Sequence, residues 1–120
     1  MKFTWVTLRV RNLERSMEFY QGVLDLPKHS THGQGGTRII MLGKDKEPLV
    51  ELIEEADSPA TEPGTGISVG FAVDSLEDAI SHVEKHGYPV AIGPIAPNPH
   101  VRFVYIHDPD GYLVQLVETK

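Results

Sequence analysis

The chain contains one pattern twice. Trp5-Val6-Thr7-Leu8-Arg9-Val10-Arg11-Asn12-Leu13-Glu14 aligns with Ser68-Val69-Gly70-Phe71-Ala72-Val73-Asp74-Ser75-Leu76-Glu77 at an offset of 63. Leu49-Val50-Glu51-Leu52-Ile53-Glu54-Glu55 aligns with Leu113-Val114-Gln115-Leu116-Val117-Glu118-Thr119 at an offset of 64. A duplicated unit of half the chain fixes the architecture before any single residue is read. It predicts a pseudo-twofold molecule with a pocket between its halves, where equivalent positions face each other.

Each copy reads as β-α-β-β-β. In the first, Thr4 to Val10 alternates as a strand, with Val6, Leu8 and Val10 on one face and Trp5, Thr7 and Arg9 on the other. Asn12 is placed to cap a helix whose stripe is Leu13, Met17, Tyr20 and Leu24, and Pro27 ends it. Lys28–Thr31, Arg38–Leu42 and Leu49–Glu54 are expected strands, joined by Gly33-Gln34-Gly35-Gly36 and Gly43-Lys44-Asp45-Lys46. In the second copy, Ile67–Val73 is a strand. Ser75-Leu76-Glu77-Asp78 resembles a capping box, Leu76, Ala79, Ile80 and Val83 form the helical stripe, and Gly87 stops it. Pro89–Ile92, Arg102–His107 and Tyr112–Val117 are the remaining strands. The apolar faces with Val6, Leu8 and Val10 should pack on a helix, leaving the Trp5/Thr7 face for the pocket.

The expected fold class is therefore α+β, one domain over residues 1–120. Module one covers 1–55, a linker 56–66, and module two 67–120. At up to ~3.5 Å per residue the linker reaches ~35 Å, enough to pair modules within a chain or exchange them between two. The 120 residues suffice for a core without staples, and there is no cysteine to supply a disulfide, a thiolate ligand or a thiol nucleophile. Lys and Arg are scattered and the net charge is −6, so nucleic acid is not an expected partner. The acidic excess around Glu51 to Asp57 is read as solvated surface. No apolar run approaches a membrane span, and the opening residues have no signal-peptide core, so a cytoplasmic protein is expected.

These elements resemble the vicinal oxygen chelate superfamily, which includes glyoxalase I, bleomycin-resistance proteins, fosfomycin-resistance enzymes, methylmalonyl-CoA epimerase and extradiol dioxygenases. The segments carrying the resemblance are Val6 to Tyr20, Leu49-Val50-Glu51-Leu52-Ile53, Gly70 to Leu76, and Asp108-Pro109-Asp110-Gly111-Tyr112. It implies a homodimer and a small-molecule ligand. It also implies four metal-ligand positions, on the first and last strands of each module, which fall on Trp5, Glu51, Ser68 and Gln115. The family's usual residues there are His or Gln, Glu or His, His, and Glu; only Glu51 is unchanged. Indole has no lone pair for a metal, and Ser68 and Gln115 offer only neutral oxygens. A transition metal wants several imidazoles or carboxylates. No metal cofactor is expected, with a divalent ion at a remodelled site as the alternative.

The expected function is small-molecule binding of the bleomycin-resistance kind. The alternatives are a lyase or isomerase like lactoylglutathione lyase with a remodelled metal site, and a metal-free isomerase with Glu51 as base. Trp5 would give a flat stacking surface. A carboxylate buried in the apolar run around Glu51 would suit general acid or base work. Ser68, Gln115, Thr7 and Tyr105 are expected to hydrogen-bond the ligand. His107 lies at a turn and is expected on the surface, as are His82 and His86 on a helix. His29 and His32 near the glycine-rich loop are left open between ligand contact and surface. Asp108 and Asp110 are read as turn residues.

Overall fold

The computed structural model describes residues 1–58 and 62–120; part of the expected linker, residues 59–61, lies outside them. The chain divides into two compact units, Met1–Glu62 and Pro63–Lys120. Unit 1 contains β1 (Trp5–Arg9), α1 (Leu13–Met17) continued by a π-helical segment (Glu18–Val23), β2 (Lys28–Gln34), β3 (Thr37–Leu42) and β4 (Leu49–Glu55). Unit 2 contains β5 (Ser68–Ala72), α2 (Leu76–Lys85), β6 (Ile92–Asn98), β7 (Val101–His107) and β8 (Leu113–Thr119).

Each unit is a four-stranded mixed sheet with the same topology. The orders are β1-β4-β3-β2 and β5-β8-β7-β6, with the first and last strands of each unit parallel and the other pairs antiparallel. The repeat holds down to register: Thr7 pairs with Glu51 as Gly70 pairs with Gln115, and Met41 pairs with Glu51 as Tyr105 pairs with Gln115.

Alternation sorts each sheet into two faces. Leu8, Val10, Val50 and Leu52 in unit 1, and Val104, Ile106, Val114 and Leu116 in unit 2, are buried on the face that carries the helix. α1 packs on β4 and α2 on β8. The helices start on side-chain caps: Asn12 accepts from the Arg15 N–H at 2.9 Å, and Ser75 from the Asp78 N–H at 3.2 Å. The turn Asp108–Gly111 is closed by Asp108, whose Oδ1 accepts the N–H groups of Asp110 and Tyr112, the turn role expected of it.

Two elements depart from the sequence reading. The helical stripe Leu13, Met17, Tyr20, Leu24 is replaced by buried Leu13, Ser16, Phe19, Tyr20 and Val23. The helix widens after Met17, and the Leu24 N–H bonds the Phe19 carbonyl, five residues back, at 2.9 Å. A wider turn carries fewer degrees per residue, so Val23 rotates inward and Leu24 outward. In unit 2 the strand expected at Pro89–Ile92 begins at Ile92 and runs to Asn98. It includes Pro94 and Pro97, which an edge strand tolerates because one side of its ladder makes no sheet bonds. It is exposed along its length and pairs with β7 only at Ile92, Ile95 and Asn98.

The acidic stretch of β4 is not merely solvated. Arg38 bonds both Glu14 at 2.7 Å and Glu54 at 2.7 Å, while Glu54 accepts the Leu13 N–H at 2.9 Å. Unit 2 repeats this with Arg102, Glu77 at 2.7 Å and Glu118 at 2.8 Å, and Glu118 accepts the Leu76 N–H at 2.8 Å. Each latch ties a strand pair to the first turn of its helix.

Candidate functional site

The helix-free face of each sheet carries polar and apolar side chains together. In unit 1, register puts Trp5, Thr7 and Arg9 beside Leu49, Glu51 and Ile53, then Met41 and Ile39 on β3, then Ser30 and His32 on β2. The central rung is Thr7–Glu51–Met41–Ser30. Here the Thr7 hydroxyl donates to Glu51 Oε1 at 2.6 Å. Glu51 is half-buried, as are Leu49 and Ile53 beside it, and not enclosed as a carboxylate in an apolar run would suggest. Trp5 stands two residues along the same face and leaves 48% of its surface open.

In unit 2 the equivalent rung is Gly70–Gln115–Tyr105–Ile92. Gln115 Nε2 donates to the Tyr105 hydroxyl oxygen at 3.3 Å. Gly70 makes room for the amide: a Cβ there would lie 3.2 Å from Gln115 Oε1. Ser68 sits at the start of β5, exposed, paired with Leu113.

Thus the structure brings Thr7 to Glu51 and Tyr105 to Gln115, with Trp5 and Ser68 at the leading ends of the strands beside them. Sequence reasoning missed three members of these faces. Met41 continues the Glu51 rung; Gly70 is defined by the space it leaves; Phe103 meets Tyr105 edge-on, ring centroids 5.6 Å apart. Phe103 was within reach of parity, being two residues from Tyr105 in an expected strand.

The donor chemistry of the four family ligand positions is one carboxylate, one hydroxyl, one amide and one indole. Glu51 already accepts from Thr7, and Gln115 turns its N–H toward Tyr105. Among the described residues, no three His, Asp or Glu side chains converge on a point where a metal ion could sit. The histidines are elsewhere. His107 is exposed at the end of β7, its Nδ1 3.4 Å from the Gly111 carbonyl. His82 and His86 contact each other on the exposed side of α2, ring centroids 4.5 Å apart. His29 and His32 gather around Ser30.

Known proteins are similar to this chain in sequence or in fold. Two lactoylglutathione lyases, from Neisseria meningitidis and Escherichia coli, are each 27% identical over the whole chain, covering 92% and 94% of their own lengths. Glyoxalase I of Leishmania major superposes with a TM-score of 0.85 at 18% identity, over 98% of this chain and 86% of that one. TnmS3, an antibiotic binding protein from a Streptomyces species, superposes with a TM-score of 0.78 at 17% identity, over 100% and 97%. At such identities these two structures speak for the fold. The profile of the Glyoxalase/Bleomycin resistance protein/Dioxygenase superfamily matches residues 2–116, and the chain belongs to that superfamily.

Proposed function

We propose that this protein binds a small molecule on the helix-free faces of its sheets and does so without the superfamily's metal. The observation that carries this reading is the Trp5–Thr7–Glu51 cluster: a half-open indole beside a carboxylate that a neighbouring hydroxyl holds in place. An indole face suits a planar or partly apolar ligand. An oriented carboxylate suits a hydrogen-bond donor or cation on that ligand. The second sheet offers neutral polar groups of its own at Tyr105, Gln115 and Ser68. The donor set at Trp5, Glu51, Ser68 and Gln115 fits a transition metal poorly, since it offers one anionic oxygen and no imidazole. A homodimer acting in the cytoplasm belongs to the same proposal.

The second reading is enzymatic, favoured by the lactoylglutathione lyases among the relatives. In its metal-free form Glu51 moves a proton at its free Oε2 while Thr7 holds Oε1. One substitution separates the two. Glu51→Gln keeps shape and removes charge. For a binding protein it should weaken a cationic or donor ligand. For an isomerase it should abolish turnover while ligand still binds. Assay of lactoylglutathione formation with and without added divalent metal, against that variant, decides: turnover lost in Glu51→Gln supports the enzyme, and a bound ligand with no turnover under either condition supports the binding protein.

A further inference from the structure

β2 opens with a bulge. Lys28 pairs with Leu42 and Ser30 with Met41, so His29 has no partner across the strand pair. A bulge inserts one residue and re-aims its side chain. In a regular strand His29 and Ser30 would point to opposite faces. Here His29 Nδ1 lies 3.2 Å from Ser30 Oγ. His32, on the same face as Ser30, brings Nε2 to 3.1 Å from that oxygen. From the β3–β4 turn, Asp45 Oδ1 lies 3.1 Å from the far nitrogen of His29, Nε2.

We propose that His29, Ser30 and His32 form a binding site for one late divalent transition-metal ion, with Asp45 as its positioning residue. The donors are His29 Nδ1, His32 Nε2 and Ser30 Oγ, and solvent completes the coordination. Donor spacing is the first support. Two donors about 2.0–2.1 Å from one ion, at angles from octahedral to tetrahedral, sit roughly 2.8–3.4 Å apart. Both spacings to Ser30 Oγ, 3.2 Å and 3.1 Å, fall in that range. The second support is the orientation of His29. Its Nε2–H donates to a carboxylate, which leaves the Nδ1 lone pair facing Ser30. Histidines that bind metals are held this way, by a carboxylate on the nitrogen away from the ion. Access is the third: both histidines are exposed and Ser30 is half-buried.

Without an ion, and with both histidines neutral, the same atoms form an unbroken chain of hydrogen bonds. Asp45 accepts from His29, His29 Nδ1 accepts from the Ser30 hydroxyl, and Ser30 accepts from His32 Nε2–H. An ion replaces the two inner bonds, with His32 changing tautomer and the Ser30 hydroxyl turning its proton to solvent. Asp45 keeps its place. Two imidazoles and a neutral hydroxyl favour Cu²⁺ over Ni²⁺ and Zn²⁺, following the general order of affinity for such ligands. This site is separate from the family's four positions. Ser30 is two strands from Glu51 along one rung, about 10 Å at the usual strand spacing. The proposal stands whether or not a ligand binds at Glu51.

The test is a Cu²⁺ titration of the full chain, free of any histidine tag and stripped with chelator, near neutral pH. Calorimetry gives stoichiometry and electron paramagnetic resonance gives the ligand atoms. The expected result is one ion per chain with nitrogen couplings from two imidazoles. His29→Gln or His32→Gln should each weaken binding by more than tenfold, and Asp45→Asn by about tenfold. Glu51→Gln and His86→Ala should leave it unchanged, and circular dichroism checks that each variant folds. Failure to bind stoichiometrically would overturn the proposal. So would binding that survives both His29→Gln and His32→Gln, or that disappears in His86→Ala (the α2 pair) or Glu51→Gln (the family position).

Discussion

The hydroxyl of Thr7 decides which way the Glu51 carboxylate faces. Their 2.6 Å bond lies on exposed surface, so its net contribution to stability is at most about 1.5 kcal/mol. Thr7→Val should therefore melt close to the wild type while lowering ligand affinity, because the carboxylate is free to rotate. Paired melting curves and titrations check both halves. The counterpart in unit 2 is Gly70, where the side chain is missing so that Gln115 can lie across it. Gly70→Ala puts a Cβ 3.2 Å from Gln115 Oε1 and 3.8 Å from Val117. The amide should swing aside with little loss of stability and a measurable loss of affinity. An unchanged affinity would remove Gln115 from the site. Parity puts Trp5 and Thr7 on one face in the sequence, and the repeat with the family resemblance adds Glu51 to it. Parity cannot find Gly70, whose contribution is the space it leaves, nor the half-burial of Glu51, which depends on what flanks the strand.

Among the elements, the two Arg–Glu latches set the response to acid. The Arg102 guanidinium beside Glu77 holds that carboxyl down at about 2, against an ordinary 4.5. Glu118 is lowered by the Leu76 N–H first and by Arg102 next, and Glu14 is lowered chiefly by its bond to Arg38. A carboxylate with a depressed folded pKa binds its proton later than the unfolded chain does. It stabilises fully above about 4.5, and that contribution disappears as pH falls toward 2. Thermal melts from neutral to acid pH should show this decline, and Glu77→Gln should flatten it. Added salt should weaken the exposed Glu77 and Glu14 parts more than the part from buried Glu118. If Glu77→Gln leaves the slope intact, the latch is not its source. Leu52, fully buried on the helix-covered face, sets a scale for packing: Leu52→Ala should cost about 2–5 kcal/mol by chemical denaturation. The latch was legible in principle, because Arg38, Glu54 and Glu14 recur as Arg102, Glu118 and Glu77. Surface charge is so common that recurrence alone does not mark it. The π-helical segment was not legible: Leu13, Met17, Tyr20 and Leu24 satisfy an α-helical period, and only packing selects Val23 instead. β6 was hidden by Pro94 and Pro97, which remove the alternation and the donors by which strands are recognised.

At the scale of the whole chain, duplication explains why so much of the fold could be read. Two copies of one pattern check each other, and the shared register of Thr7–Glu51 and Gly70–Gln115 is the structural form of that check. Divergence between the copies explains why function could not be read as easily. Where one module has an acid and a hydroxyl, the other has an amide and a phenol. Assembly is expected to be dimeric, so light scattering at micromolar concentration should give twice the 13.3 kDa of one chain; a monomer would contradict that part of the proposal. Elemental analysis should find no metal that depends on Glu51, and metal lost in Glu51→Gln would reverse the metal-free reading. The proposed ligand lies against Trp5, the chain's single tryptophan. A metabolite thermal-shift screen, run in parallel on the wild type and Trp5→Ala, tests this placement most directly. Compounds that stabilise the wild type should shift its tryptophan emission, and their affinity should fall in Trp5→Ala by about 1–3 kcal/mol, the loss expected for a stacking contact and its buried area. Compounds that stabilise both proteins equally and leave the emission unchanged would place the ligand elsewhere and contradict the proposal.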